Sequence, residues 1–209
     1  MELKQELLKA LDELRKNEER KFNQTADLII NLQKFDVKKQ NLNLFLEVPY
    51  KIKDKKIAGF FESKNKDIET ITPPEFKNYS DKKDLKKLAV KFDFFIAQAS
   101  LMPKVATVFG RALGPSGKMP SPQLGILMNA DEKSIKALRE KIDNSVKIKI
   151  KEASVKLAIG KQSMKNEQIV ENILAVYNSL LKSLPKGKDN VKNIEIKFTM
   201  TKPQKIQIR

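Results

Sequence analysis

The segment DKKDLKKLAVKFDFFIA, residues 81–97, decides the fold class of the middle of this chain. Within residues 81–92, Leu85 and Leu88 recur at helical spacing among lysines and aspartates, which predicts an amphipathic helix. The run FFIA at residues 94–97 is short, apolar and partly aromatic, which indicates a buried strand. A helix that leads directly into such a strand is typical of a parallel sheet covered by helices.

The same alternation of strand and helix extends on both sides, over residues 55–145. The run IAGFF at residues 57–61 predicts an earlier buried strand, and a loop containing a Pro-Pro pair is expected after it. Two further helices are predicted at residues 100–112 and 131–142. The middle of the chain is therefore expected to belong to the α/β class.

The two ends of the chain show a different pattern. Apolar residues at helical spacing predict a helix over residues 2–17 and a longer one over residues 166–184. Six short apolar runs predict strands, which fall at residues 26–32, 42–48, 146–150, 154–159, 193–198 and 205–208. Strands with so few helices between them are typical of the α+β class.

One arrangement accounts economically for both patterns. Residues 1–54 and 151–209 are predicted to form a single discontinuous α+β domain, and residues 55–150 an α/β domain inserted within it. Two closely spaced crossings, near residues 50–55 and 146–152, would join the two domains. The sequence permits this arrangement without requiring it.

The net charge of the chain limits the classes of partner that it is expected to bind. It carries 42 Lys and Arg against 26 Asp and Glu, a formal net charge of +16. Residues 1–54 are nearly balanced at +1, whereas residues 55–150 carry +8 and residues 151–209 carry +7. A cation this strong is expected to bind nucleic acid or an anionic membrane, and the alternative is that the charge serves solubility alone. Nucleic acid is favoured, because no apolar run approaches the length of a membrane span and the two best helices are not basic amphipathic ones.

The composition argues against catalysis. The chain has no His and no Cys, which removes the commonest general base, the thiolate nucleophile and the commonest metal ligands. Ser100, Ser121 and Ser163 have no histidine to activate them, and the carboxylates form no cluster suited to a metal. We therefore expect no catalytic residue, no metal and no cofactor.

The most distinctive string is GRALGPSGKMPSPQLG at residues 110–125, where much of the chain's glycine and proline is concentrated. Gly117-Lys118 resembles the end of a phosphate-binding loop, which would suggest a nucleotide-dependent enzyme. Met119 stands where that loop needs a hydroxyl for magnesium, and Ala112 where it needs its first glycine, so this function is disfavoured. Two alternatives remain open: a rigid loop that contacts RNA or a protein, and a purely structural turn.

Three short strings combine cations with amides, hydroxyls and apolar groups beside predicted strands. They are RKFNQT at residues 20–25, GKQSM at residues 160–164 and KFTMTK at residues 197–202. Such groups suit phosphate, ribose and base contacts in RNA. Because strand ends of one sheet can converge, we expect the three strings to form a single surface.

Several strings together resemble the family of the first large-subunit ribosomal protein, L-one, in its archaeal form. They are KFNQTADLIINL at residues 21–32, LGPSGKMPSP at 113–122, IGKQSM at 159–164, ENILAVYNSLLKSLPKG at 171–187 and KFTMT at 197–201. The resemblance covers nearly the whole chain, and the ordered set of strings is more specific than any single one.

This resemblance implies a function as well as a fold. The fold would be a two-domain one, with a split α+β rRNA-binding domain and an inserted Rossmann-like α/β domain on a two-strand hinge. The protein would be a non-enzymatic constituent of the large ribosomal subunit in the cytoplasm, monomeric when free and independent of membranes. It would bind large-subunit rRNA in the mobile stalk, assist release of deacylated exit-site tRNA, and repress translation by binding its own mRNA. Sequence does not separate rRNA binding from mRNA binding, since both would use one surface.

The family motifs assign site residues to this chain. The rRNA-binding residues carried over are Lys21, Phe22, Thr25, Gly160, Lys161, Ser163, Met164, Asn193, Thr199, Met200, Thr201 and Lys202. In the glycine-proline string, a loop that contacts RNA or a partner would include Arg111, Gly114, Gly117, Lys118 and Met119.

The chain departs from the family pattern at a few positions. Thr201 stands where the family usually has glycine, and Lys202 where it has proline; Ser116 replaces a usual arginine, and Met164 a frequent phenylalanine. A β-branched residue cannot cheaply adopt the positive φ that glycine allows. We therefore expect either a different backbone at Thr201 or a lower affinity, partly offset by a phosphate contact from Lys202.

Overall fold

The computed structural model describes residues 2–17, 21–36, 42–65, 67–79, 81–128, 131–150 and 152–206. The helices of this part are α1 (Glu2–Arg15), α2 (Lys82–Lys91), α3 (Met102–Ser116), α4 (Glu132–Asp143) and α5 (Asn166–Ser183). The strands are β1 (Thr25–Leu32), β2 (Asn43–Glu47), β3 (Ile57–Phe60), β4 (Glu69–Ile71), β5 (Phe94–Gln98), β6 (Ile126–Leu127), β7 (Ser145–Lys149), β8 (Ser154–Lys161), β9 (Val191–Phe198) and β10 (Gln204–Ile206). The chain thus has a mixed α/β structure.

The chain divides into two compact units. The terminal unit comprises Met1–Lys53 with Asn144–Arg209, and the middle unit comprises Asp54–Asp143. The second boundary lies earlier than the predicted one at residue 150. The reason is that β7 pairs antiparallel with β2, with Ile148 opposite Leu44, and therefore belongs to the terminal unit.

The terminal unit contains an antiparallel sheet in the order β10-β9-β1-β8. Alternate residues of β1 are buried, as the period of two along a strand requires. Helices α1 and α5 contribute to the same hydrophobic core as these buried residues, and α5 buries its predicted apolar stripe there, namely Ile169, Ile173, Val176, Leu180 and Leu184. The other face of β1 is largely polar, with Thr25, Asp27 and Asn31 beside the apolar Ile29.

The register of this sheet brings three separate segments to one edge. Because β1 runs antiparallel to both of its neighbours, its first residues lie beside the last residues of β8 and β9. Thr25 pairs with Lys161, and Ala26 pairs with Phe198. The ladder between β1 and β8 shifts register just after Ala26, and such irregularities often re-aim side chains near functional surfaces.

The middle unit contains a parallel sheet in the order β4-β3-β5-β6. Phe60 and Phe95 pack with residues of α2 and α3, whereas Phe61 and Ile96 pack with residues of α4. Both faces of the sheet are therefore covered. This explains why its strands appear in the sequence as continuous apolar runs without alternation.

The segment after β3 is more ordered than the loop expected there. It contains strand β4 and a 3-10 helix, Pro73–Tyr79, whose Phe76 is buried. These elements add a strand and an aromatic side chain to the middle unit. Neither has the length or periodicity that would have revealed it in the sequence.

Helix α3 continues to Ser116, beyond its predicted end at residue 112. Arg111 and Gly114 therefore lie in a helix, and the prediction that they belong to a loop is wrong. The helix persists because Leu113 is fully buried and supplies a further turn of core packing. It ends at Gly117, whose positive φ of 68° suits glycine and whose N–H donates to the Gly114 carbonyl at 2.9 Å.

Candidate nucleic-acid interface

The three predicted RNA-binding strings meet at the edge where β1 begins. Thr25, in the first string, makes a hydrogen bond to each of the other two strings. Its backbone N–H donates to Thr199 Oγ1 at 3.1 Å, and its hydroxyl accepts a hydrogen bond from Lys161 Nζ at 2.9 Å. Residues 21–25, 161–164 and 199–202 are named here the strand-end surface. Residues that are up to 174 positions apart in the chain thus share one surface.

Amide side chains join two segments of the strand-end surface. Asn23 Nδ2 donates to Ser163 Oγ at 2.9 Å, and the Ser163 backbone N–H donates to Asn23 Oδ1 at 3.1 Å. The backbone N–H of Gln162 also donates to the carbonyl of Gln24 at 2.8 Å. These reciprocal bonds fix the turn that follows β8 against the segment that precedes β1.

Gln24 holds the third segment of the strand-end surface, residues 199–202, from the buried side. Its side chain is buried, and its Oε1 accepts a hydrogen bond from the Met200 backbone N–H at 3.0 Å. A buried amide that makes no such bond would be costly, so this contact helps to hold the turn after β9 in place. The sequence places an amide here but gives no sign that it is buried.

Two large apolar side chains are exposed on the strand-end surface. Phe22 is 51% exposed and Met200 is 60% exposed. The cation Lys21 lies beside Phe22 in the chain, and Lys161 anchors the same surface. Exposed apolar groups among cations and amides suit stacking on bases and contact with ribose, with phosphate held by the lysines.

Arg15, at the end of α1, supports the turn after β8. Its guanidinium donates to the carbonyl oxygens of Gln162 at 2.8 Å and Met164 at 2.6 Å, and to Asn166 Oδ1 at 2.6 Å. It also lies over the ring of Phe198, 5.9 Å from the centroid. Sequence analysis missed this residue, because a helix-terminal arginine with partners about 150 positions away has no local signature.

A shallow hollow of about 410 Å³ lies beside this arginine, and its other lining residues are Ser163, Met164, Lys165, Asn166 and Glu167. It faces the first turn of α5. The backbone N–H of Lys165 is satisfied by Gln168 Oε1 at 3.2 Å. The dipole of α5 favours negative charge at this position, and the Glu167 carboxylate in its first turn already supplies it.

Asp27 is an acidic group close to this surface. It lies on the polar face of the sheet, opposite Lys197 in β9. Burial raises the pKa of Asp27, while Lys197 and Lys161 oppose that rise. The two lysines thus offset part of the cost of a half-buried carboxylate.

Several predicted rRNA-binding residues face elsewhere. Gly160 is buried, and a Cβ at this position would lie 3.0 Å from Ile169 Cγ1. A side chain at residue 160 would therefore point toward the core. Met164 is half-buried, and its sulfur accepts the Lys161 backbone N–H at 3.4 Å. Asn193 lies near the opposite end of β9 from Thr199. The rise per residue of an extended strand separates the two by about 20 Å. Asn193 also accepts a hydrogen bond from Asn31 at 2.7 Å. Gly160 and Asn193 thus lie outside the strand-end surface, whereas Met164 lies within it with its side chain packed partly against the core.

The departure at Thr201 is accommodated by its own side chain. In the described part of the chain Lys34 is the one non-glycine residue with positive φ, so Thr201 has an ordinary backbone conformation. Its hydroxyl accepts the Phe198 backbone N–H at 2.9 Å, and its N–H donates to the Phe198 carbonyl at 3.1 Å. A hydroxyl-stabilised turn therefore takes the place of a glycine turn.

Two residues of the glycine-proline string, Lys118 and Met119, make contacts within the middle unit. Lys118 Nζ donates to the carbonyl oxygens of Ala89 at 2.7 Å and Phe92 at 2.8 Å. Its charge thus caps the C-terminal end of α2, where a cation stabilises the helix dipole. Met119 packs partly buried against the core of the middle unit, whereas Arg111 is exposed on α3.

The described part of the chain contains no group of three acidic residues placed to hold a metal ion. Within the same residue ranges, none of the helices combines the length and apolarity needed to cross a membrane.

Comparison with known proteins gives one consistent result. A model described as the ribosomal protein L1p/L10e family matches residues 14–202. The large ribosomal subunit protein uL1 of Nanoarchaeum equitans is 35% identical over 196 residues, covering 89% of this chain and 92% of that protein. The proteins of the same name from Pyrobaculum islandicum (35% over 208 residues; 94% and 90%) and Thermococcus kodakarensis (32% over 216 residues; 98% and 98%) are also similar.

Proposed function

Because this chain belongs to the ribosomal protein L1p/L10e family, as its sequence predicted, we propose that it binds large-subunit rRNA through the strand-end surface. Proteins of this family are structural and not enzymes. The observation that carries the proposal is the meeting of three separate segments at Thr25, with cations, amides and exposed apolar groups on one surface.

Each class of group on this surface has a distinct role in the proposal. Lys21, Lys161 and Lys202 contact phosphates and supply a salt-dependent part of the affinity. Phe22 and Met200 pack against exposed bases or ribose. The hydrogen bonds of the surface hold these groups in place before RNA arrives, which lowers the entropy lost on binding.

The wider role follows from the family. We propose that the two units act as two domains, with the Rossmann-like middle unit inserted in the terminal one. As part of the large subunit in the cytoplasm, the protein would form the stalk that assists release of deacylated tRNA from the exit site. The same surface would also bind the protein's own mRNA and repress its translation, in which case rRNA and that mRNA would compete in a binding assay.

The combined substitution Thr199→Val and Met200→Ala tests the surface directly. It removes a hydroxyl and a 60% exposed apolar side chain while leaving the core intact. We expect affinity for a large-subunit rRNA transcript to fall about tenfold or more, equivalent to about 1.4 kcal/mol. Filter binding measures the affinity, and footprinting identifies the protected RNA.

The matched control is Thr107→Val with Met128→Ala, which makes the same two changes at exposed positions of the middle unit. It should leave rRNA affinity within about twofold of the wild type. Equal affinities for the two double variants would refute the assignment of the strand-end surface.

Lys161→Met tests the electrostatic part of the proposal. If Lys161 neutralises one phosphate, its loss should reduce the slope of log affinity against log salt by about 0.7–0.9. The control Lys182→Met removes an equal charge from the last turn of α5, whose first turn adjoins the surface. A slope that changes equally in both variants would show that only overall charge matters.

A further inference from the structure

A groove in the middle unit is not used by the proposed rRNA-binding function. It lies between α2 and α3 and has a volume of about 770 Å³. Its apolar floor is formed by Leu85, Ala89 and Ala112, and the exposed side chains of Val90 and Pro115 continue it at the edge. Two of these residues, Ala112 and Pro115, belong to the glycine-proline string, because that string begins as the last turns of α3.

The rim of the groove is cationic. Lys82 and Lys86 of α2 and Arg111 of α3 line it and are exposed. None of the three forms an ion pair with another residue in the described part of the chain, whereas the neighbouring acid Asp84 pairs with Lys87 at 3.1 Å. The groove therefore presents uncompensated positive charge around an apolar strip.

Val90 is the most exposed large apolar side chain of the described residues, at 83%. It stands in the last turn of α2, where a β-branched residue is neither a strong helix former nor a solubilising one. Lys118 holds the adjoining wall of the groove through its bonds to the Ala89 and Phe92 carbonyls. These bonds hold the end of α2, and with it the apolar part of the groove, in place.

From these features we infer that the groove binds an acidic amphipathic segment of a partner protein. An amphipathic helix lays its apolar face into such grooves at a spacing of three and four residues. Its Asp and Glu side chains would then meet Lys82, Lys86 and Arg111 at the rim. Complementary charge of this kind steers association and fixes the orientation of the bound segment.

Other occupants fit the groove less well. RNA could use the cationic rim, but none of the described lining residues is aromatic, and the apolar floor would offer no surface on which bases stack well. A second copy of this chain carries a net charge of +16, so its approach to a cationic rim is opposed by repulsion. An acidic peptide is the one occupant that satisfies both floor and rim.

The test uses the full chain and a fluorescein-labelled peptide of about 12 residues, long enough to cover α2. The peptide has leucines spaced three and four residues apart and glutamates at its other positions. A scrambled peptide of the same composition lacks the apolar face. Fluorescence anisotropy should show the patterned peptide binding at least about tenfold more tightly than the scrambled one.

Two variants place the site. Lys86→Glu with Arg111→Glu should weaken binding of the patterned peptide at least about tenfold, and Val90→Asp at least about fivefold. The control pair, Lys83→Glu with Lys104→Glu, makes the same charge change on exposed positions of the same two helices outside the groove, and should have less than about a twofold effect.

Several results would overturn the inference. Equal losses in groove and control pairs would mean that the peptide responds to overall charge alone. Equal binding of patterned and scrambled peptides would exclude a role for the apolar floor. A single-stranded RNA oligonucleotide that binds with the same sensitivity to the groove variants, or a wild-type dimer that Val90→Asp dissociates in sedimentation, would assign the groove to RNA or to a second copy.

Discussion

Replacing Arg15 with methionine should weaken rRNA binding about tenfold, although Arg15 is not predicted to touch RNA. The arginine holds the carbonyls of Gln162 and Met164 and the side chain of Asn166 with bonds of 2.6–2.8 Å. Methionine keeps the apolar part of the side chain but leaves those acceptors without their donor. We expect the free energy of unfolding to fall by about 2–3 kcal/mol as well.

The reason for the loss of affinity is positional. The turn at residues 161–164 carries Lys161 and Ser163, and Arg15 ties this turn to α1 from the inner side. Without these bonds the turn would become ordered only when RNA binds. The conformational entropy lost at that step would lower the affinity. Salt dependence should stay unchanged, because no phosphate contact of the strand-end surface is removed.

The matched control is Lys16→Met, which removes one positive charge at the next residue, where the side chain is exposed. Arg15→Lys adds a second comparison, since it keeps the charge but cannot present the planar fork of donors. Arg15→Lys should therefore resemble Arg15→Met, while Lys16→Met resembles the wild type. If Arg15→Met and Lys16→Met behave alike in urea unfolding and in rRNA binding, Arg15 has no positioning role.

Replacing Phe109 with alanine should destabilise the middle unit by about 3–5 kcal/mol. Phe109 is fully buried, and its ring lies 4.8 Å from Phe60, 5.1 Å from Phe76 and 5.5 Å from Tyr79, measured between centroids. Its loss opens a cavity among the other three rings and removes their contacts with Phe109. For a unit of this size, the unfolding transition should move down by at least about 12 °C.

This substitution should nevertheless leave rRNA affinity within about twofold at temperatures where both units are folded. The strand-end surface lies wholly in the terminal unit, so we expect that a defect in the middle unit does not reach it. Calorimetry, together with hydrogen exchange resolved by segment, measures the first effect, and filter binding measures the second.

Phe22→Ala provides the reciprocal experiment. It makes the same chemical change in the terminal unit, at a side chain that is 51% exposed, so unfolding should shift little while rRNA affinity falls. If Phe109→Ala weakens rRNA binding as much as Phe22→Ala does, the two units do not act as separate domains. The same result would remove the basis for treating the strand-end surface as the complete rRNA site.

The main elements of the fold were accessible from sequence because their patterns are long. Helix α5 was predicted within one residue at its end, since its apolar stripe extends over five turns. Strands β3 and β5 were recognisable as continuous apolar runs, which is how strands covered on both faces appear. Strand β4 is three residues long, and so short an element has no periodicity to detect.

The candidate site was only partly accessible from sequence. The three strings around Thr25, Lys161 and Thr199 were identified by their content of cations, amides and hydroxyls. Gly160 and Met164 belong to the same motif, but their direction depends on the packing of α5, which is a tertiary property. Arg15 was missed for the complementary reason: its chemistry is ordinary, and only its position makes it important.

The sequence by itself determined the family and the kind of elements: its ordered motifs resemble the family to which the chain belongs, and local apolar periodicity specifies helices and strands. Its net charge of +16 favours a polyanionic partner. Only the tertiary structure decided which side chains share a surface, where β7 pairs, and how far α3 continues into the glycine-proline string. The physical reason is that periodicity reports burial along one element, whereas register and packing depend on contacts between residues far apart in the chain.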